Sequence, residues 1–154
     1  MHSFTPIKIH RLQVNLQLIR QAGGWSLSQF GNLLGVSKQT VCNLENGTTK
    51  LSKLQYVGIR TILDYEISQH PENKLLPHAI YVLLDSDETT EEDVQKIKQA
   101  VAYTSGAKKL GLDSAAVFAG LSTILTIVAG AGGIIAGAGI LWSDKWISEI
   151  MKND

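Results

Sequence analysis

The stretch Leu27–Gly47, LSQFGNLLGVSKQTVCNLENG, restricts the fold more than any other part of the chain. Phe30 and Leu34 are spaced i, i+4 and Val41 and Leu44 are spaced i, i+3, so two short segments each carry one apolar stripe at helical period, the first extended by Val36. Gly35 follows Leu34 where the first helix must stop, and a left-handed cap there costs glycine least. Ser37 stands where the next helix needs an N-cap, and Gly47 closes that helix. Gly31, four residues before Gly35, leaves room for the two helices to cross closely. Together these choices specify two short helices joined by a tight turn.

Gly31, Gly35, Val41, Leu44 and then Glu45-Asn46-Gly47 resemble, in residue type and spacing, the lambda-repressor/Cro-like helix-turn-helix family of bacterial and phage DNA-binding domains. The resemblance covers Leu12 to Ile67, under half of the chain. It implies that the second motif helix, Lys38 to Asn46, enters the major groove of double-stranded DNA. Carried over position by position, Lys38, Gln39 and Asn43 are the base readers, glutamine suiting adenine and lysine suiting guanine. Thr40 and Asn46 fall at phosphate-contacting positions, with Lys50 and Lys53 nearby. Cys42 lies in the same helix as a small residue facing DNA or its flank. Leu27 departs from the family. There the family often places a glutamine that clamps a phosphate or supports a base contact, and leucine cannot hydrogen-bond.

The flanking sequence predicts three more helices. Thr5-Pro6 marks a start, and a first helix is expected over 7–21 with Leu12, Leu16 and Ile19 on one face. Gly23-Gly24 ends it, and Trp25 is expected to pack against it. A fourth helix is expected over 53–69, with Leu54, Val57, Ile62 and Tyr65 turned inward and Pro71 stopping it. Pro77 opens a fifth, HAIYVLLD. Of the histidines, His10 and His78 read as surface or bundle-packing residues.

Formal net charge is zero, but the charges are segregated. Residues 1–70 hold seven Lys/Arg against three acids, a balance of +4, and each of the two following segments, 71–109 and 110–154, carries −2. A basic end that coincides with the motif is what a phosphate-binding surface requires. Asp85 to Asp93, DSDETTEED, reads as a solvated linker ending in a helix start: Thr90 is the N-cap, Asp93 its reciprocal partner, and Glu91 and Glu92 favour the positive end of the helix dipole. Val94, Ile97, Val101 and Thr104 then repeat at helical spacing on a spacer helix.

Ala115 to Trp142 is 28 residues without a charge, long enough to span a bilayer as one helix. Lys108-Lys109 before it favour a cytoplasmic N-terminal flank, and Trp142 and Trp146 suit the far headgroup zone. Ala129, Gly133 and Gly137 form a small-residue face on which a second helix can pack. A buried hairpin broken near Gly130–Gly133 is the alternative for this stretch.

A single cysteine excludes an internal disulfide. The N-terminal MHSFTPIKIHR lacks the apolar core of a secretory signal, so the basic half is expected in the cytoplasm. No catalytic constellation, metal-ligand spacing or cofactor motif is present in the sequence, and neither an enzyme nor a cofactor is expected.

The sequence therefore predicts an all-α chain in three parts: a five-helix lambda-repressor-like domain over 5–84, an acidic linker and spacer helix over 85–112, and a transmembrane helix with a short tail over 113–154. The expected function is sequence-specific transcriptional regulation from the bacterial inner membrane. The expected partners are double-stranded DNA, membrane lipid and further copies of the chain, as a homodimer or higher homo-oligomer. The rival reading makes the membrane segment a phage-defence or toxin-like effector, with the helix-turn-helix as its regulatory or assembly module. A third is a soluble interaction adaptor.

Overall fold

A computed structural model describes residues 4–111 and 145–152 of the chain. Each regular element among them is helical: α1 (Phe4–Gly23), α2 (Leu27–Leu34), α3 (Lys38–Asn46), α4 (Lys53–Gln69), α5 (Leu75–Ile80), a π-helical turn over Tyr81–Asp85, α6 (Glu91–Lys109) and α7 (Lys145–Lys152).

Local chemistry sets most of these boundaries. Ser26 caps α2 and Ser52 caps α4, each in a reciprocal box with the glutamine three residues on, Gln29 and Gln55. Ser37 caps α3 by accepting from the Thr40 amide. Gly35 and Gly47 close α2 and α3 in the left-handed conformation, at φ 75° and 76°. Thr90 and Asp93 exchange hydrogen bonds at the start of α6, as their spacing predicts. At α5, Asn73 does the capping: its Oδ1 accepts from the Leu75 and Leu76 amides, and Pro77 sits inside the first turn rather than opening the helix.

Leu12, Leu16 and Ile19 are fully buried, as expected, and α1 forms the spine against which α3, α4, α5 and α6 pack. Trp25 stacks on Phe30 at 5.4 Å and lies over Gly23, where a Cβ would come within 2.2 Å of its ring. Gly31 is also tight, at the close approach of α2 to the turn and the start of α3: a Cβ there would lie 3.3 Å from the Ser37 carbonyl carbon and 3.4 Å from the Lys38 nitrogen, the first residue of α3. A Cβ there would meet the Val36 carbonyl oxygen at 2.8 Å, so the turn itself needs this glycine.

Helix α4 has the expected bounds and a different inward face. Leu54 is 82 % and Tyr65 61 % exposed, and Val57 and Ile62 are half-buried. The core side carries Tyr56, Ile59, Arg60, Leu63, Glu66 and Ile67. The helix is turned because Arg60, only 2 % exposed, goes inside to meet Asp85 in a two-point ion pair at 3.0 and 3.1 Å. A long cation at the centre of the buried face conceals its apolar pattern.

Two further segments join the bundle. The helix expected as a spacer, α6, buries Ile97, Ala100 and Val101 in the same core as α1 and α5. Helix α7 brings Trp146 and Ile150 into that core. Trp146 therefore does not stand at a far headgroup zone: its Nε1–H donates to Asp64 Oδ2 at 2.7 Å, its ring meets Tyr56 edge-on at 6.1 Å, and the Arg60 guanidinium lies 5.0 Å from its centroid. An indole wants an apolar bed and one acceptor, and α4 offers both. The segment 115–142, with its packing residues Ala129, Gly133 and Gly137, lies outside the described residues. Among those described, no helix is long and apolar enough to cross a membrane.

Candidate nucleic-acid interface

The α2–turn–α3 unit is held to the bundle from behind. Arg20 on α1 grips Glu45 on α3 through Nε at 2.6 Å and a second nitrogen at 3.3 Å, while its remaining nitrogen donates to the Trp25 carbonyl. Both side chains of this pair are nearly buried. Removing one partner would strand a charge in a poorly solvated site. Gln13 ties down the segment after α3: its amide donates to the Leu44 and Thr49 carbonyls and its oxygen accepts from the Leu51 amide. Val41 and Leu44 complete the anchorage from α3 itself.

Fixing the inner face leaves the outer face polar. Lys38, Gln39 and Asn46 are exposed and Thr40 and Asn43 half-exposed, all on α3. Gln39 Nε2 donates to Asn43 Oδ1 at 2.9 Å, so the two amides are already paired one turn apart. Thr40 shares a hydrogen bond with the Ser37 hydroxyl, and Asn46 Nδ2 points to Cys42 Sγ at 3.4 Å. Lys50 is exposed in the following loop, and Lys53 is half-exposed at the first residue of α4. The structure thus gathers Lys38, Gln39, Thr40, Asn43 and Asn46 on one short helix, with Lys50 and Lys53 just beyond its end. Leu27, the departure from the resembled family, packs its side chain partly into the core.

The positive charge of the N-terminal half is largely used inside the molecule. Arg20 pairs with Glu45 and Arg60 with Asp85. Arg11 donates to the Val82 and Ser86 carbonyls and Lys8 to that of Leu84. Burial opposes charge on Arg60, but the Asp85 carboxylate more than compensates and keeps it firmly protonated. Burial also raises the Tyr56 hydroxyl above its usual range. Gln13 and Arg20, which hold the interface from behind, and the Arg60–Asp85 pair that joins α4 to the π-helical turn escape sequence reasoning because their partners lie 25 or more positions away.

No curated protein and no solved structure matches the chain. Residues 16–68, from mid-α1 to the last turn of α4, match the family model described as helix-turn-helix.

Proposed function

We propose that the chain is a sequence-specific DNA-binding regulator of transcription, with α3 inserted in the major groove. The match of residues 16–68 to the helix-turn-helix family carries this reading. The polar outer face of α3 supports it, because that face has no packing role inside the bundle. In this reading Lys38, Gln39 and Asn43 meet base edges, and Thr40, Asn46, Lys50 and Lys53 meet phosphates. One such helix reads only a few base pairs, so the regulator acts as a pair of copies on a two-part site. The charge-free stretch 115–142 supplies a state tethered to the inner membrane, with Ala129, Gly133 and Gly137 as the contact between copies.

The test is selection of bound fragments from genomic DNA by the full chain, followed by titration of Gln39→Ala on the selected site. The variant loses ~1–3 kcal/mol against its own base pair and tolerates changes there. Absence of salt-dependent binding to any fragment at low ionic strength would refute the reading.

A further inference from the structure

We infer that the groove between α1 and α6 is where a second copy of this chain docks, with the two α6 helices antiparallel. The need for a second copy rests on the regulator proposed above; the surface rests on the described residues alone. The two helices pack together in the core, and their outer sides leave a cleft of about 650 Å³. Val14, 61 % exposed, and the half-buried Leu18 form one wall, and Val94, Val101 and Ala102 the other. The cleft continues past Gln21 and Ser105 to Trp25 and Lys109. Among the described residues, no element covers it.

The charges of α6 choose the occupant. Glu91, Val94, Lys98, Ala102, Ser105 and Lys109 follow one another at three- and four-residue steps, so they make one stripe along the helix, and all but Glu91 line the cleft. Glu91 and Lys109 are both exposed. They stand 18 residues apart, which is about five whole turns, so the two charges share one side of the helix about 27 Å from each other. The stripe is acidic at one end, basic at the other, and carries only Lys98 as a charge between. Its midpoint is Ala100. A two-fold axis there turns the stripe onto itself. Glu91 then meets the partner's Lys109, and Lys98 meets the partner's Ala102, whose small side chain leaves room for the lysine stem. A parallel pair would instead set Glu91 against the partner's Glu91 and Lys109 against the partner's Lys109. The stripe is therefore self-complementary one way round only, and every contact occurs twice, as an isologous interface requires. Any other partner would have to supply an acid and a base at that same separation, which this chain already carries.

Oxidative cross-linking with copper phenanthroline, in cells making the full chain, tests this. Two differently tagged copies are expressed together, both with Cys42→Ser, one with Lys98→Cys and the other with Ala102→Cys. A mixed disulfide between the copies is expected, in clear excess over either like-with-like product. Reversing one end of the stripe in both copies, by Glu91→Lys or by Lys109→Glu, turns two attractive pairs into two repulsive ones and lowers the mixed product about tenfold. Making both reversals together restores it, which neither a weakened α6 nor a misfolded chain would do. Four results overturn the inference: no mixed product, an excess of a like-with-like product, a yield unmoved by the single reversals, or no recovery in the double reversal. The DNA selection described above is read separately. Its failure with the mixed product present removes the regulator and keeps the pairing, and the converse removes the pairing and keeps the regulator.

Discussion

His78 is the residue whose environment has the plainest consequence in solution. It is 1 % exposed, and neither ring nitrogen has a hydrogen-bond partner. Burial lowers its pKa to about 4, with the Asp93 carboxylate pulling weakly the other way. In the unfolded chain the ring titrates at its ordinary 6.5. Between these values the unfolded state binds the extra proton, so stability is full above pH 6.5 and drains away as pH falls toward 4. The complete shift is worth ~3 kcal/mol. His78→Leu removes a titrating group and two unpaired nitrogens. Urea unfolding should then show a clearly shallower loss between pH 7 and 4.5 than wild type, with stability at pH 7 equal or higher. Parallel loss in both proteins would assign the acid sensitivity to other groups.

At the scale of elements, the helix-turn-helix and α4 respond to substitution in different ways. Gly31 faces the Val36 carbonyl at a distance no Cβ tolerates, so Gly31→Ala forces the turn to move and costs ~1–3 kcal/mol in a thermal or urea melt. An unchanged melt would mean the turn has slack. On α4, Leu63→Ala opens the core and costs ~2–5 kcal/mol, whereas Leu54→Gln stays within ~0.5 kcal/mol. A large loss at Leu54 would place a partner on that face. These two elements also mark what a sequence can convey. Caps and turns depend on residues within four positions of each other, so Ser37, Gly35, Gly47 and the Thr90–Asp93 box are readable directly. The bounds of α4 are readable for the same reason. Its inward face is not, because Arg60 and Glu66 look like surface residues until Asp85 and the rest of the bundle surround them. Trp146 is further from view still: its acceptor is 82 positions away, and an indole beside a charge-free stretch has an obvious alternative place in lipid. The outer face of α3 falls between these cases. Its positions follow from the motif, but the Gln39–Asn43 pairing that presets them does not.

At the scale of the whole molecule, the question is how much positive charge a nucleic acid would meet at the proposed interface. The basic half has seven cations. Lys8, Arg11, Arg20 and Arg60 are engaged with carbonyls, Glu45 or Asp85, and their work is to hold α1, α3, α4 and the π-helical turn together. Lys38, Lys50 and Lys53 are the three cations placed at the proposed interface. Counterion release scales with the number of phosphates neutralised, so the slope of log K against log salt should be roughly −3 for one domain and roughly −5 to −6 for a pair. Such a protein draws little affinity from the phosphate backbone and depends on base contacts or on pairing to stay bound. Lys50→Ala should reduce the slope by about 1 and weaken all sequences alike. Fluorescence anisotropy on a selected site between 50 and 200 mM salt, chosen as roughly the range over which such slopes are read, measures both. A slope near twice the expected value, unchanged by Lys50→Ala, would mean that the internal arginines leave their partners on binding. In that case the bundle would have to rearrange, because releasing Arg20 strands Glu45 and releasing Arg60 strands Asp85.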